Sequence, residues 1–205
     1  MLRAFTYSDK KLIILDQTRL PSRTAYVTAK TAEDVADAMK VRGAPAIGIC
    51  AAYGLVLAAH AAPKKDYDTF MAAFTQAADQ LGASRPTAVN LFWAIERMSA
   101  KAKALRGHTI EDIVVALEAE AMQIEREDLS INRAIGENLL SLLHDGATIL
   151  THCNAGILAT SGYGTALSPV YLAKERGMNI RVYADETRPL LQGARLTTYE
   201  LGQSG

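Results

Sequence analysis

The chain has 205 residues, enough for one large domain or two small ones with a sizeable core in either case. Its 22 basic and 22 acidic side chains balance, so no excess charge asks for nucleic acid or an anionic membrane as a partner. Two cysteines, Cys50 and Cys153, are too few for a disulfide scaffold or a zinc cluster and point to a reducing compartment; a cytoplasmic protein is expected.

The opening MLRAFTYSDKKLIILD alternates charge with short apolar pieces and lacks the pattern of a secretory signal. RAFTY and KLIILD flank the turn Ser8-Asp9-Lys10 and predict a hairpin, with TAYVTA as a third strand. Thr31 predicts the cap of a helix reaching Met39, because Glu33 and Asp34 fall in its favourable first turn. From Ala44 to about Leu143 the pattern is helical, broken at Pro63, at Gly82 to Pro86 and at Gly107-His108, after which Thr109 caps the next helix. Residues 44–60, APAIGICAAYGLVLAAH, approach the length of a membrane span. Their Pro45, Gly48, Gly54 and His60 and their few large apolar side chains predict a buried helix instead. The proline-free stretch from Thr109 to Leu143 reads as one long amphipathic helix, with Gly136 as the place for a kink.

Beyond Leu143 the periodicity changes. DGATILTHC predicts a strand, GTALSPVYLAKERG a helix closed by Gly177, and NIRVYADE a second strand. One strand–helix–strand unit is the signature of a parallel α/β layer. The expected fold class is therefore α/β: a helical domain with a small antiparallel sheet over residues 1–120, a linking helix over 121–145, and the start of a Rossmann-like domain over 146–205. A parallel sheet needs several crossovers to cover both faces, and only twenty residues follow Asp185. The sheet is expected to be completed by residues that this sequence does not contain.

Three clusters can carry chemistry. Cys153 stands just past the carboxyl end of the first parallel strand, where open α/β sheets place ligands. The small residues after it, NAGILATSGYGTA, could present backbone N–H groups to an anion and depress a thiol's pKa. A buried, inert cysteine is the competing reading on position alone. The neighbouring His152 points to the opposite side of a regular strand, which argues against a Cys–His dyad.

In the second cluster, VRGAPAIG, Arg42 and Gly43 stand directly before a helix starting at Ala44-Pro45. An arginine beside free helix N–H groups suits a phosphate, although a capping turn with a solvated arginine explains the same residues. Arg85-Pro86, at the entrance of SRPTAVNLFWA, repeats the arrangement and suggests an anion held from two sides. In the third cluster, Asp185, Glu186 and Arg188 follow the second strand and Gln192-Gly193-Ala194-Arg195 opens a helix; surface salt bridging explains those charges equally well. His60, His108 and His144 lack acidic partners at ligand spacing and read as structural. Gly162-Tyr163-Gly164 is a weak dinucleotide signal, because the later glycine of that pattern is missing.

Taken together, RGAPAIGI, RPTAVNL, THCNAG and DETRPLLQGARLTTYEL resemble the methylthioribose-1-phosphate isomerase family, part of the wider group that includes subunits of translation initiation factor 2B. The resemblance runs over the whole chain. It implies that Cys153 is the catalytic thiol and that Arg42, Gly43, Ala44, Arg85 and Gln192 contact substrate. It implies a small-molecule sugar phosphate as substrate in methionine salvage, a homodimer, no metal and no organic cofactor. The family's acid, an aspartate, and an Asn-Lys substrate contact are expected beyond Gly205, so the isolated chain is expected to be inactive. The alternative is a regulatory or sugar-phosphate-sensing protein of the initiation factor type, without turnover; a bare folding fragment is a third reading.

Overall fold

A computed structural model describes residues 2–188 and 190–205. The amino-terminal hairpin forms as its turn residues dictate. Strands β1 (Phe5–Ser8) and β2 (Lys11–Leu15) are antiparallel, Ser8 opposite Lys11, and β3 (Tyr26–Ala29) adds to the other edge of β2. Asp9 and Lys10, both at positive φ, make the turn. Leu12 and Ile14 are fully buried because the sheet's inner face lies on the helices that follow.

Helix α1 (Ala32–Asp37) starts at Thr31 with a complete capping box to Asp34, and ends two residues short of the Met39 expected from pattern. Helix α2 (Ala44–Ala61) is the centre of the fold. It is long and apolar enough to cross a membrane, yet 72 % of it is buried inside the protein. Its apolar residues run all round the axis because α1, α3 (Tyr67–Ser84), α4 (Val89–Ala104) and α5 (Ile110–Leu140) pack about it. Gly48 is required there: a Cβ would lie 2.7 Å from the Asn90 carbonyl oxygen on α4. The break expected at Gly82 to Pro86 falls inside that stretch: Gly82 is still within α3, facing Phe92, and the helix ends at Ser84 with Arg85 as its cap. Thr109 caps α5 by accepting from the Asp112 N–H at 3.1 Å.

The 31-residue α5 carries the chain from the helical core to the second layer. There β4 (Thr148–Thr151) and β5 (Arg181–Ala184) pair in parallel around the crossover helix α6 (Ser168–Glu175). Gly136 proves to be a packing point within a continuous helix, since a Cβ would meet Leu172 and Ser168 of α6 at 2.6 and 2.9 Å. After β5 a π-helical turn, Gly193–Thr197, leads into α7 (Thr198–Ser204). This carboxyl-terminal turn reaches the start of the chain: Leu15 and Leu20 share one apolar cluster with Leu158 and Leu196.

Candidate functional site

The site is built where the amino end of α2 meets the loop leaving β4. Gly43 is the cap residue of α2, and among the described residues no side chain caps its first N–H groups. A Cβ on Gly43 would lie 2.2 Å from the Ala159 Cα, so only glycine lets the two segments touch. Gln17, 1 % exposed, fastens this contact. Its amide nitrogen donates to the Leu158 carbonyl at 2.7 Å, and its amide oxygen accepts the Arg42 N–H at 3.1 Å.

Arg85 stands at the carboxyl end of α3, not at the start of α4 as its Pro86 neighbour suggested. It still reaches the same corner, donating from Nη1 to the Val41 carbonyl at 3.4 Å. Arg42 and Arg85 thus flank one uncapped helix start, and neither is paired with a carboxylate among the described residues. Two cations beside free N–H groups make a seat for an anion such as a phosphate.

On the opposite wall, β4 ends at Thr151 and Cys153 follows with φ of 61°. A left-handed conformation in a residue other than glycine is held only when its surroundings insist on it. Here the Cys153 N–H donates to Thr187 Oγ1 at 2.8 Å, while its carbonyl accepts from Thr197 Oγ1 at 2.6 Å. Thr187 and Leu191 are also left-handed, at 55° and 54°. Strained residues therefore gather at both strand ends. The thiol is half-buried, whereas Cys50 is fully enclosed in α2, where burial pushes its thiol pKa up. His152 turns away from the thiol to Asp185, 3.2 Å from its Nδ1, in an exposed pair.

Gln192 and Gly193 lie beside the end of β5. A Cβ on Gly193 would fall 1.5 Å from the Asp185 carbonyl oxygen, which holds the turn hard against the strand. The Gln192 Oε1 is buried and has no hydrogen-bond partner among the described residues, so it is available to a ligand hydroxyl or amide.

The fold thus sets Gly43, with Arg42, Ala44 and Arg85 around it, against Ala159 in the loop that follows Cys153, and Gln192 stands beside the end of β5 in the segment whose Thr187 and Thr197 hold Cys153. Four supporting residues were not legible in the sequence: Gln17, Thr187, Thr197 and Glu200. Thr197 and Glu200 lie in the quoted DETRPLLQGARLTTYEL motif, three residues apart. Their spacing on a helical turn was the available signal.

The sequence matches the initiation factor 2 subunit family over residues 40–205. A 5-deoxyribose 1-phosphate isomerase from Clostridium botulinum (strain Loch Maree / Type A3) is 54 % identical over 209 residues, covering 100 % of this chain and 60 % of the relative. A methylthioribose-1-phosphate isomerase from Symbiobacterium thermophilum is 55 % identical over 197 residues, covering 95 % of this chain and 55 % of its own length. Among solved structures, the 5-methylthioribose 1-phosphate isomerase of Pyrococcus horikoshii OT3 superposes with a TM-score of 0.94 at 38 % identity, covering 100 % of this chain and 58 % of that one. The delta subunit of translation initiation factor eIF-2B from A. fulgidus gives 0.91 at 44 % identity, covering 100 % and 60 %. The chain therefore spans about 60 % of the length of the curated relatives it matches.

Proposed function

The chain belongs to the initiation factor 2 subunit family, and on that premise we propose that it contributes the phosphate seat and the reactive thiol of an aldose–ketose isomerase acting on a 5-deoxy or 5-methylthio ribose 1-phosphate. The observation that carries this reading is the contact of Gly43 with Ala159, which sets the helix start flanked by Arg42 and Arg85 against the loop that follows Cys153. The names of the relatives from C. botulinum and S. thermophilum support the substrate class.

The chemistry suits the residues. In an aldose 1-phosphate the C1 oxygen is esterified, so the ring cannot open by simple hemiacetal reversal. The C1–ring oxygen bond breaks as an acid protonates the ring oxygen; the C2 hydrogen passes to C1, and the C2 hydroxyl gives up its proton to become the ketone. Atoms and electrons balance without an external oxidant. Arg42, Arg85 and the first N–H groups of α2 hold the phosphate dianion. Gln192 Oε1 accepts a sugar hydroxyl, and Cys153 lines the path of the moving hydrogen in a site shielded from water.

The test is turnover of methylthioribose 1-phosphate and 5-deoxyribose 1-phosphate by the full-length protein, with Cys153→Ala as the control. Loss of roughly two to four decades in rate is expected for the variant, the contribution of a positioned proton-transfer group. The structural likeness to the eIF-2B delta subunit favours one other reading, a non-catalytic sugar-phosphate sensor. Phosphate-ester binding without turnover, unaffected by Cys153→Ala, would establish that reading instead. A homodimer is part of the proposal, and sedimentation of the full-length protein tests it.

A further inference from the structure

One buried acid has no part in the chemistry above. Glu200, on the first turn of α7, is 0 % exposed. Its two oxygens are shared between separate points of the loop behind Cys153. Oε1 accepts from the Asn154 side-chain amide at 3.0 Å, and Oε2 from the Leu158 N–H at 2.9 Å, with the Ile157 N–H adding to the set. Between them Gly156 lies so close that a Cβ would fall 1.7 Å from Oε1. The same Asn154 amide donates to Thr197 Oγ1 at 3.2 Å, and that hydroxyl in turn donates to the Cys153 carbonyl. The carboxyl therefore grips the loop on both sides of its tightest point, one residue from the thiol and one residue from Ala159.

We propose that Glu200 is the positioning residue of the Cys153 turn, a buried clamp that sets where the thiol stands relative to the amino end of α2. The proposal rests on the reading of Cys153 as the reactive group. The clamp has two states, because an ionised carboxyl accepts at both oxygens whereas a protonated one carries a hydrogen where one donor must sit. Burial is the dominant influence and raises the Glu200 pKa to about 8 in spite of the three donors. The titratable group facing it from α6 is the Tyr171 hydroxyl, whose own pKa burial raises, with a further upward push from the carboxylate. The loop 154–158 presents only amides, so the carboxyl switches within the range where an enzyme works, and the clamp is firmer above pH 8.

Two measurements on the full-length protein test this. In wild-type protein followed by 1H–15N spectroscopy from pH 6 to 10, the Leu158 N–H and the Asn154 side-chain amide should titrate together with a midpoint near 8. The Cys153 N–H should follow the same midpoint. In parallel, the wild-type to Glu200→Gln ratio of Cys153 alkylation rates should change by roughly tenfold across that midpoint, the effect of one charge-assisted hydrogen bond. A Cys153 N–H that stays still while Leu158 titrates, or a rate ratio independent of pH, overturns the proposal, as does the absence of any titration at Leu158. If Glu200→Gln does not fold, the wild-type titration alone decides. Failure of the functional reading appears separately, as sugar phosphate that does not slow Cys153 alkylation in wild-type protein.

Discussion

Single residues decide how close the two walls of the site can stand. Gly43 touches Ala159 at a distance that excludes any Cβ, so Gly43→Ala must push the walls apart. Its expected cost is about 1–3 kcal/mol, typical of overpacking a tight contact, read as a lower urea midpoint together with weaker binding of a sugar phosphate. The cysteines differ for an equally local reason: Cys50 is sealed in α2 and Cys153 is half-exposed at a strained strand end. Brief alkylation of folded protein should label Cys153 and spare Cys50; equal labelling would mean that the α2 core opens on the timescale of the reaction. Glu200 adds a pH dependence of stability. Its folded pKa of about 8 stands above the ordinary 4.5, so the unfolded chain releases this proton first. Glu200 thus disfavours the fold progressively as pH rises from about 4.5 to 8, and adds no further loss above that. Glu200→Gln should gain in Tm relative to wild type over that interval, measured by thermal melts at fixed ionic strength.

Between elements, charge and shape both act. Arg97 on α4 donates to Glu120 at 2.7 Å and to both oxygens of Glu127 on α5, and lies over the Trp93 ring at 5.6 Å. The Arg97 guanidinium holds the Glu127 carboxyl down at about 2, against an ordinary value of 4.5. That contribution is fully present above about pH 4.5 and is lost as pH falls through 2. Because Glu127 is 39 % exposed, water screens the pair. Arg97→Met should cost only about 1 kcal/mol at pH 7, and the gap in Tm from wild type should narrow as pH drops from 5 to 2. The α5–α6 contact joins charge to shape, with Glu137 on α5 paired to Arg176, the cap residue of α6. Gly136 admits Ser168 and Leu172 where a side chain would collide.

At the scale of the whole molecule, the start and the end of the chain are tied together across the site. The Arg195 guanidinium donates to the carbonyls of Thr18 and Leu20 at 2.8 and 2.7 Å, and Gln17 joins the helix start at Arg42 to the loop at Leu158. Gln17→Ala leaves the buried Leu158 carbonyl and the half-buried Arg42 N–H without their partner, a cost of about 1–3 kcal/mol. Hydrogen exchange should then accelerate at Arg42 and in the 154–160 loop alike. A response confined to one of them would show that Gln17 does not couple the two walls.

How much of this could be read beforehand follows from the range of each interaction. The caps at Thr31 and Thr109, the hairpin at Asp9-Lys10, the buried α2 and the strand–helix–strand unit were legible because each depends on side chains a few residues apart. The candidate residues Arg42, Gly43, Ala44, Arg85, Cys153 and Gln192 could be named from motifs, since helix starts and strand ends are local events. Their meeting was not written in any local pattern. Gly43 and Ala159 are 116 positions apart, and the left-handed turn at Cys153 is imposed by Thr187 and Thr197 from another loop. Neither Gln17 nor Glu200 stands in a local pattern that marks it, because the partners of each lie in distant segments. The amino-acid sequence by itself determined the elements and the candidate residues they carry. Tertiary packing alone decided which of them face one another, because burial and long-range hydrogen bonds exist only once the whole chain has closed.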